Sequence, residues 1–462
     1  MSHLFEYTGN AFVDAGISAL MEWCEKKHPQ ELTEADVRKA LPEIATLFSQ
    51  EGWVKTFYTT FSNGVMVQPS NKGKEREKWL EFIGELVKEL QPLGDQGACV
   101  ACGRRNPVRI KKEKRGFLRS EVPMTSGSLN YYSYASTGAD YCGVCAIAIQ
   151  LSPLVLYRSG GKMILVHSSS EKAMLLWARS AIKNVHAQIN LNRYSGCFSE
   201  NFKNPQNALF QIAKKLSQDK EDWANEPVAI RIYHFTNYGQ GAELGYYDLP
   251  ARIFHFLNEI QNSEEAEDWY RIIRKRYYFQ KGQDRIWLKT AEKQEEDYKD
   301  KKNAIYEGLL ENRWIIKYFY GFQQRKSYAR WALVQLYLKE VKQMDKQRIE
   351  TIKRVADEIA LVIQKDESDK PKRLGQLERA NTYGNFRNTL RLIIKERIGN
   401  NVENPLFSLD DFAERLFPDG ALGWRETQDL ILFRLYEILH SWLQEKGFVI
   451  DEVEENRNSE VE

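Results

Sequence analysis

The sequence predicts an α+β protein. A mixed N-terminal domain over 1–343 carries a four-cysteine knuckle insertion at 97–147 and is followed by an all-α helical bundle over 344–450. Three observations lead there. Apolar residues recur at helical spacing towards both ends of the chain, β-branched and aromatic runs flank turn signals between them, and Cys99-x-x-Cys102 and Cys142-x-x-Cys145 enclose a long irregular stretch.

The N-terminal elements follow from local patterns. Phe12, Val13, Ile17, Leu20 and Met21 make a helical face after Gly9-Asn10, and Thr33-x-x-Asp36 resembles a capping box before Val37, with Pro29 and Pro42 as punctuation. From Val54 to Gln68 the β-branched and aromatic residues predict a hairpin turning at Asn63-Gly64. A helix is expected over 75–90. A second hairpin is expected where Leu154–Tyr157 and Met163–His167 flank Ser159-Gly160-Gly161, and Val228–Phe235 reads as a further strand. Trp269–Tyr278 interleaves bases with aromatics, which suits either single-strand stacking or a helix that buries its rings and turns its bases to water.

The C-terminal third differs in character. Ile349, Ile352, Val355, Ile359, Val362 and Ile363 share one helical face, Phe386, Leu390, Ile393, Ile394 and Ile398 share another, and Leu409, Phe412 and Leu416 suggest a short third. Leu430–Leu443 is apolar almost all round, as the central helix of a bundle is. The acidic tail 451–462 has too little apolar content to fold and is expected to be disordered.

With 462 residues, 42% of them hydrophobic, the chain can bury more than one core. Lys and Arg total 66 against 64 Asp and Glu, so the net charge of +2 gives no global signature of nucleic-acid binding, and any such surface has to be local. Met1–Asn10 lacks the basic and apolar regions of a secretory signal. The longest apolar run, Ala146–Tyr157, is broken by Gln150, Ser152 and Pro153 and is too short to span a bilayer. A cytoplasmic protein without membrane attachment is expected.

Six cysteines, four of them in two close pairs, fit metal binding in a reducing compartment better than a disulfide framework. Two thiolates three residues apart span one edge of a tetrahedron, so Cys99, Cys102, Cys142 and Cys145 are candidate ligands of a structural Zn2+. Four cysteines close the coordination shell, whereas catalytic zinc keeps a position open. None of the seven histidines is followed two places on by Glu, as a zinc deaminase requires, and H-E-x-x-H and G-x-S-x-G are absent. Ser159-Gly160-Gly161-Lys162 fails the phosphate-loop pattern, since Leu156 and Met163 stand where Gly and Ser or Thr belong. A non-enzymatic role is expected.

The segment between the knuckles is basic, with Arg104, Arg105, Arg109, Lys111, Lys112, Lys114, Arg115 and Arg119 against Glu113, and it leads into Ser126, Ser128, Asn130 and Tyr131. Bases take phosphates while Asn and Ser reach base edges, so this loop is a candidate DNA reader. Arg387, Arg391 and Lys395 recur every four residues and form a second candidate, a cationic stripe able to follow a phosphate backbone.

Tyr7-Thr8-Gly9-Asn10-Ala11-Phe12-Val13-Asp14-Ala15-Gly16, together with the two CxxC knuckles and the Ser/Gly-Asn-aromatic loop before the second, resembles the CXXC-CXXC family of CRISPR-associated proteins, the large subunit of the type I-B Cascade effector. The resemblance implies a non-catalytic subunit of a crRNA-guided surveillance complex in antiviral defence. Such a subunit recognises the protospacer-adjacent motif (PAM) in duplex target DNA, aids R-loop formation, and docks a separate helicase-nuclease. It implies contacts with the Cascade backbone and small subunits. On this reading Lys111, Lys112, Arg115 and Arg119 hold phosphates while Ser126, Ser128, Asn130 and Tyr131 probe the groove. The C-terminal bundle resembles the Cascade small subunit, which in related systems is also made by internal translation, so a product Met344–Glu462 is expected. The alternative from another class is a zinc-ribbon RNA-binding or translation-associated protein.

Overall fold

The computed structural model of the chain describes residues 3–110, 115–125, 129–130, 136–199, 203–218, 223, 226–237, 242–288, 298–365 and 371–449. It is a mixed α+β protein that divides into two compact units, Met1–Ala251 and Arg252–Glu462.

The first unit is organised around α1 (Ala11–Trp23), buried from Val13 to Met21 on nearly every face. Its N-terminus is fixed twice. Asn10 Oδ1 accepts from Phe12 N and Val13 N at 3.2 Å, and Asp14 reaches back to accept from Thr8 N at 2.7 Å and Gly9 N at 3.0 Å. Asp14 also meets His167 Nε2 at 3.0 Å, which ties the start of the helix to the sheet. α2 (Glu34–Phe48) opens on the expected capping box, with Thr33 N donating to Asp36 Oδ2 at 2.9 Å and Asp36 N to Thr33 Oγ1 at 3.2 Å. Pro42 does not punctuate the chain. α2 runs through it, because the buried face of Val37, Leu41, Ile44, Leu47 and Phe48 outweighs the loss of one backbone donor.

The hairpin expected over 54–68 is absent. α3 (Glu51–Thr60) occupies that sequence, and Asn63, with φ of +61°, turns the chain after the helix ends. Trp53, Phe57 and Phe61 recur at helical spacing; Trp53 and Phe57 pack on Phe48, at 5.2 and 4.8 Å between rings, and Phe61 packs on Phe57 at 5.7 Å. Burial of these large rings overrides the β propensity of their neighbours. α4 (Glu75–Lys88) adds Trp79 to the cluster, 5.6 Å from Phe48.

The short antiparallel pair β1 (Leu129–Asn130) and β2 (Ser136–Thr137) precedes α5 (Gly143–Leu151). A five-stranded sheet follows in the order β5-β3-β4-β6-β7, built from β3 (Tyr157–Ser159), β4 (Lys162–Ser168), β5 (Phe198–Ser199), β6 (Ile230–Thr236) and β7 (Glu243–Leu249). The expected hairpin at Gly160-Gly161 is β3–β4, and the expected strand at 228–235 is β6. β5 pairs parallel with β3, and the other ladders are antiparallel. α6 (Glu171–Leu191) and α7 (Pro205–Gln218) complete the unit. No described helix is long and apolar enough to cross a membrane.

In the second unit α8 (Ala251–Gln261) and α9 (Ala266–Lys275) lead into the small sheet β10-β8-β9, made of β8 (Tyr277–Lys281), β9 (Asp284–Trp287) and β10 (Lys302–Asn303). Trp269, Ile272 and Ile273 are the buried face of α9 while Arg271 and Arg274 are exposed, and Tyr277 and Tyr278, also buried, begin β8, so Trp269–Tyr278 is a helix running into a strand that buries most of its rings rather than a stacking ladder. α10 (Ala304–Leu310), the pair β11 (Tyr320–Gly321) and β12 (Lys326–Ser327), and α11 (Trp331–Glu340) follow. Beyond them the described regular structure is wholly helical: α12 (Lys346–Gln364), α13 (Lys372–Arg379), α14 (Tyr383–Gly399), a π-helical turn at Asp411–Leu416, and α15 (Trp424–Glu445). α15 is the central helix that its sequence implied, and Arg434 pins it to Asp357 of α12 at 2.6 Å. Met344 lies between α11 and α12, inside the second unit. The tail 451–462 lies outside the described residues.

Gly16 shows how tightly α1 is held. A Cβ there would fall 1.6 Å from the carbonyl oxygen of Ala148 in α5. Gly16→Ala is expected to lower unfolding free energy by roughly 1–3 kcal/mol, despite alanine's better helix propensity, because α1 and α5 must part. Chemical denaturation of the full chain measures this.

Candidate metal centre and its bracketing loop

The first knuckle sits on an irregular turn after α4. Cys99 O accepts from Gly103 N at 2.8 Å, and Gly103 has φ of +63°, a conformation that glycine adopts without strain. The second knuckle is the start of a helix. Cys142 is the N-cap of α5, and its Sγ accepts from Cys145 N at 3.4 Å. Val100 N to Asp140 O and Val108 N to Tyr141 O, both 2.8 Å, lay the first knuckle against the second.

The result is one cluster. The ligand atoms of Cys99, Cys102, Cys142 and Cys145 all lie within 4.8 Å of one another, and Cys102 Sγ and Cys142 Sγ are 4.0 Å apart. Tetrahedral coordination by thiolates requires sulfurs at about 3.8 Å, from metal–sulfur bonds of about 2.3 Å. The four cysteines are close enough to bind a metal ion. Their surroundings also suit bound thiolates: Cys142 N donates to Cys99 Sγ at 3.3 Å, the N-terminus of α5 faces the cluster, and three of the four residues are buried.

The thiols cannot all ionise unaided. Hydrogen bonds from Cys142, Cys145 and Cys99 hold the Cys102 thiol far below its usual range, while donation to Cys102 pushes Cys142 and Cys145 well above it. A bound cation would replace those protons.

Residues 94–157 match the family model described as CRISPR-associated protein (Cas_CXXC_CXXC). The resemblance is therefore to that CRISPR-associated family, and the matched segment contains both knuckles and the loop they bracket. A search of curated proteins gives no match to the chain.

Within the matched loop, most described arginines have local partners. Arg109 pairs with Asp140 at 2.5 Å, and Arg104 with Glu6 at 2.7 Å. Arg115 meets Glu121 at 2.9 and 3.1 Å and is half-buried, so a phosphate would have to displace that pair. The carbonyl of Arg119 accepts from Asn237 Nδ2 at 2.9 Å. Asn130 lies on β1, in register with Ser136. Lys111, Lys112, Ser126, Ser128 and Tyr131 lie outside the described residues.

The α14 stripe is organised differently. Arg387, Arg391 and Lys395 are all exposed, and among the described residues none forms an ion pair. Arg387 lies over the Tyr383 ring at 5.6 Å and Arg391 Nη2 donates to Asn388 Oδ1 at 2.8 Å. The acid on the same helix, Glu396, is paired with Arg373. Sequence reading picked out the stripe but not the pairing that separates it from the loop, which depends on residues distant in sequence.

Metal binding should expel the Cys142 and Cys145 protons. Affinity for cobalt(II) is therefore expected to rise with pH, with protons released on titration of the metal-free protein in weak buffer. Cys142→Ser should abolish the thiolate-to-cobalt absorption and lower thermal stability, whereas Cys24→Ser should change neither.

Proposed function

We propose that this chain is the non-catalytic large subunit of a type I-B CRISPR Cascade complex in the cytoplasm, with a structural zinc ion on Cys99, Cys102, Cys142 and Cys145. The observation that carries this reading is the four-cysteine cluster inside the segment that matches the CRISPR-associated family. The donor set favours zinc: four cysteines give a closed tetrahedral shell, which holds a fold and leaves no position for substrate.

Zinc on these residues would clamp both ends of the loop 103–141. Lys111 and Lys112 are suited to phosphates, and Asn130 with Ser126, Ser128 and Tyr131 to the groove that contains the protospacer-adjacent motif. The exposed stripe of Arg387, Arg391 and Lys395 supplies sequence-independent hold on a strand or duplex backbone. That it forms no ion pair among the described residues favours this role, because binding then exchanges none of those contacts. The reading entails crRNA, target DNA, Cascade backbone and small subunits, and a helicase-nuclease recruited after R-loop formation.

Purification of the native complex tests the class, and a guide RNA of uniform length is the expected companion. Heterogeneous cellular RNA in its place would favour a general RNA-binding protein. Replacing Arg387, Arg391 and Lys395 with Ala is expected to weaken DNA binding uniformly across sequences and to reduce the slope of log affinity against log salt by up to about 2.7. Asn130→Ala should instead erode discrimination between correct and altered motifs at nearly constant salt dependence. Equal loss on both DNAs would remove Asn130 from the reading role.

A further inference from the structure

We infer that Arg105 is the cationic partner of the four-cysteine centre and that its charge sets how tightly the centre holds a divalent metal ion. The inference rests on reading that centre as a metal site.

Arg105 is 4% exposed, the most buried of the described arginines between the knuckles. Its guanidinium is spread over three acceptors. Nε donates to Gln91 O at 2.7 Å, Nη2 donates to Leu4 O, and Nη1 lies 3.9 Å from Cys102 Sγ. The first two acceptors are neutral carbonyls. Arg104, Arg109 and Arg115 each meet a carboxylate, whereas among the described residues Arg105 meets none.

A buried charge without a counterion is costly, so its electrostatic partner has to be found nearby. Four thiolates around one divalent cation leave two negative charges in excess, and Arg105 is the cation placed to offset part of that excess. Peptide N–H groups serve Cys99 and Cys142, from Cys142 N at 3.3 Å and Cys145 N at 3.4 Å, while Cys102 has the guanidinium of Arg105 beside the peptide N–H of Arg104. Arg105 is thus a positioning residue that acts through Cys102. Groups that hydrogen-bond to metal ligands commonly alter metal affinity by about 10–100-fold.

Its other two bonds extend the effect. Leu4 precedes the Tyr7–Asp14 segment that caps α1, and Gln91 follows α4, so one side chain ties the knuckle to both. Leu93 N to His3 O at 3.1 Å runs alongside.

Chelator competition on the full chain, with cobalt(II) alone and zinc(II) alone as probes, separates charge from simple bracing. Arg105→Gln is expected to lower affinity by about 10–100-fold and shift the thiolate-to-cobalt absorption, while Arg105→Lys stays within roughly tenfold of wild type. Arg104→Gln, the exposed neighbour, should leave both readouts unchanged. Wild-type affinity in Arg105→Gln would overturn the inference alone. So would an Arg105→Lys loss as large as that of Arg105→Gln, which would assign the effect to the carbonyl ties. If Arg105→Gln does not fold, Arg105→Lys decides: a loss below roughly tenfold supports the charge role and a larger one overturns it. A wild-type chain that binds neither metal overturns the metal reading and this inference together.

Discussion

Four sulfurs within 4.8 Å of one another are a constraint that the surrounding chain has to meet from several directions at once. Unaided, hydrogen bonding among the thiols pulls Cys102 and Cys99 down and pushes Cys142 and Cys145 up, so the four do not ionise together. Bringing them together therefore needs either that hydrogen-bonded compromise or a cation. The fold prepares the position by ordinary means. A glycine in a left-handed turn shapes the first knuckle, a helix N-terminus supplies the second, and backbone bonds across 100–140 and 108–141 hold them in register.

The same region shows how charge is distributed. Between the knuckles, arginines that look in sequence like one basic surface serve separate local duties on Glu6, Asp140, Glu121 and the Cys102 sulfur. On α14 the pairing of Arg373 with Glu396 removes the nearby acid and leaves Arg387, Arg391 and Lys395 exposed. Counting bases in a window treats these two cases alike. An ion pair already made in the protein lowers the gain from a phosphate, since one contact must be exchanged for another.

Much of the fold was legible in short patterns. The capping box at Thr33 and Asp36, the Gly160-Gly161 hairpin and the all-round apolar α15 each bury or satisfy groups using residues close in sequence, so periodicity and turn chemistry found them. The region 54–68 was not legible in that way. Its composition favours strands, but Phe48 at the end of α2 gives Trp53 and Phe57 a ring to pack on as a helix, and Trp79, distant in sequence, packs on Phe48 in turn. Pro42 was misread for a similar reason, because the buried face around it compensates for a missing backbone donor.

The sequence by itself determined the donor chemistry: two cysteine pairs at knuckle spacing, a basic loop between them and a basic repeat on a C-terminal helix. These depend only on residue type and interval, which the chain carries openly. Tertiary structure alone decided that the four sulfurs converge, that Arg105 is buried against one of them, and that Arg115 is ion-paired while Arg387, among the described residues, is not. Each of those outcomes depends on which distant residue arrives alongside. Burial and ion pairing are properties of neighbours in space, and the linear spacing of a residue's own type does not encode them.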